Sequence, residues 1–181
     1  MIKNKKELYK YLEMDKKALG ITKRFPKIFG DEIWKFEIIL RKYEFYYNCT
    51  NNFFMKKFYS FLHKKYSLRL GIQIPINTFG GGLRINHFGL IVVNPKARIG
   101  EWCDIHQGVN IGQNIEADSV PTIGNNVWIG PGVKIFGKIM IGDNVMIGAN
   151  SVVNSSFPSN IRIAGIPAKK ISEKPNIYVR K

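Results

Sequence analysis

The sequence has little of the residues that build disulfides, metal sites or membrane spans. It holds two cysteines and three histidines, and no run of about twenty apolar residues occurs among its 181 positions. The amino terminus carries charges with no apolar stretch behind them, so we expect neither a signal peptide nor a membrane span. The spacing of Cys49 and Cys103 indicates no disulfide, and no cluster of ligand residues indicates a metal. We therefore expect a soluble, cytoplasmic protein without a metal.

Acidic residues are also scarce, and the imbalance is concentrated in the first part of the chain. The net charge is +15, and residues 1–70 hold 17 of the 28 basic residues but only 7 of the 13 acidic ones. Nucleic acid, anionic lipid or a phosphorylated small molecule could each use such a surface. No groove-reading motif accompanies the charge, so we expect no nucleic acid partner. The alternative is that the lysines only solvate helix faces.

A six-residue repeat fills the middle of the chain. A large aliphatic residue recurs in phase at Val93, Ile99, Ile105, Ile111, Ile123, Ile129, Ile135, Ile141, Ile147 and Val153. Smaller residues stand four positions after most of these anchors, and glycine directly follows many of them. A period of six fits neither a helix nor a single alternating strand. It is typical of a chain that coils through short strands joined by sharp corners, with the anchors inside. The pattern predicts a parallel β-helix.

The flanks divide the chain into three parts. Residues 1–70 read as an α-helical domain with helices near 4–19, from Asp31 to about 48, and over 51–70. Residues 71–170 form the β-helix domain, and residues 171–181 a loosely held polar tail. The third helix carries an aromatic face, which we interpret as core or as a contact between subunits. The second interpretation is an amphipathic surface that lies against anionic lipid.

Three irregularities interrupt the repeat. The phase slips by two residues between Ile85 and Val93, just beyond His87, and a histidine beside such a bulge is a candidate site residue. Residues 112–122 replace one hexapeptide with a polar segment, which we interpret as a projecting loop. The regular repeat ends at Phe157-Pro158.

These features resemble the hexapeptide acyltransferases, and within them the serine acetyltransferases and related polysaccharide-biosynthesis O-acetyltransferases. The resemblance rests on the in-phase anchors, the glycine-rich entry at residues 80–82, the histidine before Gly89, the phase slip and the terminal Ala-Gly-Ile-Pro-Ala-Lys at residues 164–169. It implies a mainly β fold, a left-handed parallel β-helix with an α-helical amino-terminal region. It also implies that His87 is a general base, which takes a proton from an acceptor hydroxyl as that hydroxyl attacks the thioester of acetyl-CoA.

Three departures from the serine enzymes bear on the acceptor. This chain has Asn86, Val120 and Ile72 where those enzymes have aspartate, histidine and aspartate. Because two carboxylates are missing, we expect a neutral acceptor, a sugar or glycan precursor, with His106 and Gln107 as further substrate-binding candidates beside Asn86. The alternatives are a serine O-acetyltransferase of cysteine biosynthesis and a non-catalytic hexapeptide scaffold or lipid-surface adaptor.

The resemblance also implies where acetyl-CoA binds. Pantetheine would lie along the coil between neighbouring subunits, against the positions that match the family pattern. These candidate cofactor-binding residues are Gly112, Pro131, Lys134, Ala149 and Lys169. We accordingly expect a homotrimer, with the aromatic helices as a further contact that pairs two trimers or meets the inner membrane face.

Overall fold

The computed structural model describes residues 1–116 and 118–176. In this part of the chain the helices come first: α1 is Lys5–Ala18, α2 is Glu32–Cys49 and α3 is Phe53–Leu70. Asn4 and Asn52 begin α1 and α3 because their side chains accept the free N–H groups of Glu7 and Met55. The helical region therefore agrees closely with the predicted one.

Asp31 does not cap α2 as the sequence suggests. Its backbone is left-handed, with φ of 54°, and its side chain makes no capping hydrogen bond. The carboxylate instead accepts from the backbone N–H of Lys27 and from the Lys23 ammonium group. These two bonds lower the pKa of Asp31. The Asp31 side chain thus closes the preceding loop. At the start of α2, the backbone carbonyl of Asp31 accepts from Lys35 N–H.

Within the described residues, fourteen short strands follow and form the three faces of a coil. The first sheet contains β1 (Ile72–Gln73), β3 (Ile91–Val93), β6 (Asn110–Gly112), β9 (Lys134–Phe136) and β12 (Val152–Val153). The second contains β4 (Arg98–Ile99), β7 (Thr122–Ile123) and β10 (Met140–Ile141). The third contains β2 (Arg84–Ile85), β5 (Asp104–Ile105), β8 (Trp128–Ile129), β11 (Met146–Ile147), β13 (Arg162–Gly165) and β14 (Ala168–Ser172). All pairs are parallel except β13 with β14.

The core of the coil is the ladder of anchors. All ten predicted anchors are buried, and so are the smaller residues four positions later, from Ala97 to Ser151. Each anchor stacks on the anchor of the next coil, as Ile105 does on Ile129 and Ile129 on Ile147. The six-residue pattern therefore predicted both the coil and its inward-facing residues.

Register changes mark where the coil departs from three hexapeptides per turn. A regular turn leads from Ile129 to its partner Ile147, whereas the turn from Ile85 to its partner Ile105 is longer by two residues. These two additional residues belong to the phase slip beyond His87. Turns that cross the loop over 112–122 are longer by a whole hexapeptide, as from Ile111 to Ile135, so this loop lengthens the turn without adding a face. The described part of the loop is exposed at its tip.

The coil continues beyond the predicted end of the repeat. Phe157 bridges to Ile141, and Ile163 pairs with Ile147. Each of these turns is shorter than three hexapeptides, so a six-residue period does not reveal it. The expected loose tail also needs correction over its described part. β14 folds back on β13, and buried Asn176 donates through its side chain to the carbonyl of Asn126 at 3.0 Å. Residues 177–181 of the predicted tail lie outside the described residues.

Charged side chains from the helices cover the open first turn of the coil. Arg41, with no exposed surface, donates to the carbonyl oxygens of Phe79 and Gly80 at 3.0 and 2.6 Å. Asp15 accepts from the backbone N–H groups of Gly82 and Leu83 at 2.7 and 2.9 Å. Backbone groups of the later turns bond to the turn before them. The first turn has no turn before it, and the helices satisfy its backbone groups instead.

The fold class is a mixture of helix and parallel sheet, and the expectation of a mainly β chain is corrected. The helices hold 14, 18 and 18 residues, whereas each strand has only two to five. The division into three domains stays a prediction, although the helices end at Leu70 and the first strand begins at Ile72.

Candidate active site

The predicted substrate residues lie along one edge of the coil, where the third sheet turns toward the first. Because Ile105, Ile129 and Ile147 stack in register, the positions two residues later, Gln107, Pro131 and Ala149, stack as well. At the top of this edge the two additional residues of the first turn intervene, and Gly108 N–H donates to the Gly89 carbonyl at 3.3 Å. Gly89 therefore lies above Gln107, and His87 lies in the irregular segment that precedes it. Backbone hydrogen bonds join successive levels, from Gly132 N–H to the Gln107 carbonyl at 2.9 Å and from Asn150 N–H to the Pro131 carbonyl at 2.8 Å.

His87 lies at the top of this edge with its side chain exposed. Gly89 follows with φ of 110° and Leu90 with φ of 43°, so the backbone turns outward directly after the histidine. The structure describes no hydrogen bond to the His87 ring within residues 1–116 and 118–176. The imidazole of His87 is therefore accessible from solvent. The assignment of His87 as the base stays a prediction.

Asn86 contacts the carboxylate of Asp104, which no pattern in the sequence singled out. Its side-chain amide donates to Asp104 Oδ1 and, at 3.4 Å, to the carbonyl of Ile105. Asp104 Oδ2 accepts from Arg84 Nη1 at 2.9 Å. Arg84 and Asp104 face each other because β2 and β5 pair in register. The ion pair of Arg84 and Asp104 thus contacts Asn86, the residue that precedes His87.

His106 is held more firmly than a residue at a solvated corner. Its Nδ1 lies 2.9 Å from the carbonyl oxygen of Ile129, which can only accept, so Nδ1 carries the proton and the neutral ring keeps Nε2 as an acceptor. The ring also packs edge-on against Trp128 with centroids 4.8 Å apart. Asp104 Oδ1 is 3.9 Å from Nδ1. This arrangement fixes the tautomer of His106.

The candidate cofactor residues occupy two edges of the coil. Pro131 and Ala149 lie below His87, and Lys134, on the adjacent first sheet, donates through Nζ to the Gly108 carbonyl at this same edge. Lys169 is exposed on β14, beside Ala164 of β13. Gly112 ends β6 and therefore lies at the opposite edge of the first sheet. Their binding of acetyl-CoA stays a prediction.

Two of the three departures noted in the sequence have different surroundings. Ile72 is buried as an anchor of the first sheet, and its neighbour Gln73 is the residue that faces outward. Ile72 therefore does not present a side chain to the site. Val120 lies at the base of the projecting loop and is half-buried.

A cavity of about 450 Å³ lies beside this edge, between α3 and the first sheet. His63, Ser67, Gln73 and Leu90 are among its lining residues. Burial lowers the pKa of His63, although the hydrogen bond to the Ile74 carbonyl at 2.9 Å opposes the effect. His63 is thus a packed histidine.

Several buried groups in the helical cover and in the interior of the coil have shifted pKa values. Burial raises the pKa of Glu37 well above its ordinary value, and the nearby Asp15 carboxylate adds to this effect. Burial alone would lower the pKa of Arg41, but Asp15 and Glu44 outweigh it and raise it. Burial also raises the pKa of the Cys103 thiol, which lies inside the coil. Cys103 is therefore a core residue without nucleophilic character.

No group of three or more His, Cys, Asp or Glu side chains is placed to hold a metal ion within residues 1–116 and 118–176. Over the same ranges, no helix combines the length and the apolarity that crossing a bilayer requires.

Known proteins similar to this chain share the repeat and the arrangement of helices and coil. The family "Bacterial transferase hexapeptide (six repeats)" matches residues 121–155. A serine acetyltransferase of Synechococcus elongatus is 40% identical over 107 residues, which are 58% of this chain and 44% of that relative. The chain spans about half the length of several curated relatives that it matches.

Solved structures extend the similarity to the helical region. A serine acetyltransferase of Brucella abortus strain S19 in complex with coenzyme A has a TM-score of 0.75 and 29% identity, over 94% of this chain and 70% of that one. A serine acetyltransferase of Neisseria gonorrhoeae in complex with serine has a TM-score of 0.68 and 29% identity, over 93% of this chain and 70% of that one.

These similarities correct one expectation and complete another. The expected sugar acceptor is wrong, because the relatives and the solved structures are consistently serine acetyltransferases. The particular affinity to polysaccharide enzymes likewise finds no support. The coil is left-handed, as the hexapeptide repeat and the structural neighbours imply. The chain thus shares its repeat, its coil and, along nearly its whole length, its arrangement of helices and coil with hexapeptide-repeat transferases.

Proposed function

We propose that the protein is an acetyl-CoA-dependent O-acetyltransferase whose acceptor is the hydroxyl of serine. The observation that carries the proposal is the similarity to serine acetyltransferases, which includes structures in complex with coenzyme A and with serine. The accessible imidazole of His87 also supports the proposal, because acyl transfer to a hydroxyl needs a base.

The proposed reaction assigns two proton transfers to His87. The imidazole removes the proton of the serine hydroxyl as the oxygen attacks the thioester carbon of acetyl-CoA. The carbon–sulfur bond then breaks, and His87 returns the proton to the leaving sulfur. The products are O-acetylserine and free coenzyme A. A neutral imidazole suits both steps because it accepts and donates a proton near neutral pH.

The candidate cofactor residues complete the proposal. Pro131 and Ala149 stack along the edge below His87, where pantetheine would lie, and Gly112 would contact it from the far side of the first sheet. Lys134 and Lys169 would contact the nucleotide phosphates, which carry the opposite charge. Asn86 and Gln107 flank His87 and would contact the acceptor.

We further propose a homotrimer in which neighbouring coils share each site. The site residues lie along an open edge, so a single chain would leave coenzyme A largely in solvent. The aromatic stripe on α3 supports a second contact, because Phe54, Phe58, Phe61 and Leu68 are exposed at spacings of four, three and seven residues. Such spacing suits the seam between two helices. We assign this stripe to the pairing of two trimers and treat binding to anionic lipid as the competing result.

Release of free thiol from acetyl-CoA tests the proposed function. We expect the full chain to release thiol in a saturable way when serine is added, far above the rate with acetyl-CoA alone. Threonine and a simple sugar provide matched acceptors that also carry hydroxyls. Thiol release that does not depend on serine would contradict the proposal and favour a non-catalytic role.

A further inference from the structure

Arg84, Asp104 and His106 form a compact group on the outer face of the third sheet that the reaction described above leaves unused. Arg84 Nη1 donates to Asp104 Oδ2 at 2.9 Å, and His106 Nδ1 lies 3.9 Å from Asp104 Oδ1. Their side chains are 27%, 13% and 15% exposed. The ion pair is therefore shielded from bulk water yet open to a small molecule.

Both charges retain hydrogen-bonding capacity. A carboxylate offers about four acceptor positions, and Asp104 uses them only for Arg84 and Asn86 among the described residues. Arg84 has five N–H donors, and within the described ranges only Nη1 is paired, with Asp104. The pair can thus accept from a further cation and donate to a further anion at the same time.

The group also lies beside the predicted base. The amide of Asn86 contacts Asp104 Oδ1, and His87 is the next residue of the chain. On the other side of Asp104 lies His106, whose Nε2 is the unprotonated nitrogen in this tautomer. In serine the ammonium and the hydroxyl lie on neighbouring carbons, so the side chains that hold both groups must themselves lie close together.

We propose that Asp104 and Arg84 are the specificity residues for an amino-acid acceptor, an inference that rests on the proposed function. Asp104 accepts from the α-ammonium, Arg84 donates to the α-carboxylate, and His106 Nε2 accepts a further hydrogen bond from the acceptor. A half-buried ammonium without a counter-charge would be costly to bind. The carboxylate absent at Asn86 and Ile72 is therefore supplied by Asp104, on the next coil.

The kinetics of thiol release with serine and two blocked analogues test this assignment. N-acetylserine lacks the ammonium, and serine methyl ester lacks the carboxylate. In Asp104→Asn we expect the KM for serine to rise on the order of 10- to 100-fold, as for loss of a charged hydrogen bond, with a much smaller change in kcat. The ratio of kcat/KM for serine to kcat/KM for N-acetylserine should also fall in this variant. Arg84→Gln should reduce the preference over the methyl ester instead.

Glu101→Gln is the matched control, since it removes a carboxylate from the neighbouring corner of the coil, where Glu101 contacts only Lys10 through its side chain among described residues. This variant should keep the wild-type KM and the wild-type preference. If the wild type uses serine while Asp104→Asn keeps both parameters, the assignment of Asp104 is wrong and the function stands. If the wild type shows no serine-dependent thiol release, the proposed function fails.

A second measurement decides the matter should Asp104→Asn lose its cooperative thermal transition. The test then uses only the wild-type enzyme, whose kcat/KM should be higher for serine than for either analogue. Equal kcat/KM values for all three acceptors would overturn the inference without the variant.

Discussion

His87 and His106 are held differently, and their substitutions should have different kinetic effects. His87→Ala should lower kcat by roughly two to four powers of ten, the usual contribution of a positioned general base, with little change in the KM for acetyl-CoA. His106→Ala should mainly raise the KM for serine, because we place this ring in acceptor binding. Steady-state thiol release measures both parameters. Equal losses of kcat in the two variants, or an unchanged His87→Ala, would show that another group is the base.

Glu37 should make stability depend on pH. The carboxyl is buried, Oε1 accepts from Ile85 N–H at 3.3 Å, and Oε2 has no partner among the described residues. Because burial raises its pKa, the folded chain keeps a proton that the unfolded chain releases above the ordinary value of 4.5. The free energy of unfolding should therefore fall as pH rises from 4.5 toward the raised pKa.

Glu37→Gln removes this titration while it keeps an acceptor for Ile85 N–H. We expect the variant to gain stability relative to the wild type as pH rises, measured by urea unfolding at about pH 5 and about pH 8. Glu13→Gln, on the exposed face of α1, is the control and should follow the wild type. Parallel curves for the wild type and Glu37→Gln would mean that Glu37 is already ionised in the folded chain.

Single residues show how far sequence patterns reach. His87 became a candidate because a break in a strict repeat draws attention to its neighbours. Asp104 did not, because its contacts with Arg84 and Asn86 depend on a turn that is longer than three hexapeptides. Arg41 and Glu37 were hidden for another reason. Charges on a lysine-rich helix usually face solvent, and only the docking of α2 on the coil buries them.

At the scale of elements, the glycines after the anchors are spacers between coils. A Cβ built on Gly124 would lie 2.8 Å from the carbonyl carbon of Gly142, and one on Gly100 would lie 2.7 Å from that of Gly124. These positions need glycine for close approach, whereas the positive φ at the same corners belongs to Asn126 and Asn144. The sequence pattern alone does not separate these two roles within the Gly-Asn-Asn and Gly-Asp-Asn triplets.

Gly124→Ala and Gly112→Ala make a matched pair, because both glycines follow an anchor of the repeat. At Gly112 the nearest atom to a new Cβ is the side-chain oxygen of Asn110 at 3.0 Å, which can rotate away. We expect Gly124→Ala to lower the free energy of unfolding by about 1–3 kcal/mol, as overpacking does, and Gly112→Ala to lower it less. Urea unfolding of both variants measures the difference. An equal loss would mean that the corners can move apart.

The elements themselves were predictable where one interaction dominates. Anchors repeat because the interior of the coil excludes water, and this pattern identified the strands from Ile91 to Val153. Beyond Phe157 the turns become shorter than three hexapeptides, and the pairing of β13 with β14 depends on contacts outside the repeat. A local period contains no information about either feature.

At the scale of the whole molecule, assembly should be visible in the mass. One chain weighs 20.8 kDa, and we expect light scattering to give six copies, two trimers joined through α3. Exposed Phe58 and Phe61 would lie in that contact. Phe58→Ser with Phe61→Ser should reduce the particle to three copies and preserve acetyl-CoA binding.

The controls for assembly separate the competing partners of α3. Lys17→Ala, on exposed α1 surface, should leave the mass unchanged. Sedimentation with anionic phosphatidylserine vesicles tests the lipid alternative, and loss of vesicle binding in the double phenylalanine variant, without a change in mass, would assign the stripe to lipid. A stable monomer that binds acetyl-CoA with full affinity would contradict the trimer itself.

Helices and coil should unfold together, because a buried network of charges joins them. Arg41 bonds Asp15 at 2.7 Å and Glu44 at 3.1 Å, and it also donates to two carbonyl oxygens of the first coil. Separate loss of the helices would leave those carbonyls and the N–H groups of Gly82 and Leu83 without their partners. Breaking a buried pair on one side costs about 3–5 kcal/mol, a large part of the stability of an ordinary domain.

The prediction is a single thermal transition seen by two probes in a Trp34→Phe variant. Helical circular dichroism then follows α1–α3, and fluorescence reports the remaining tryptophans, Trp102 and Trp128, both in the coil. Arg41→Ala should lower both midpoints together, whereas exposed Lys17→Ala should move neither. Helical signal lost well below the fluorescence midpoint would show instead that residues 1–70 fold as an independent domain, since the network would then add little to the cohesion of the chain.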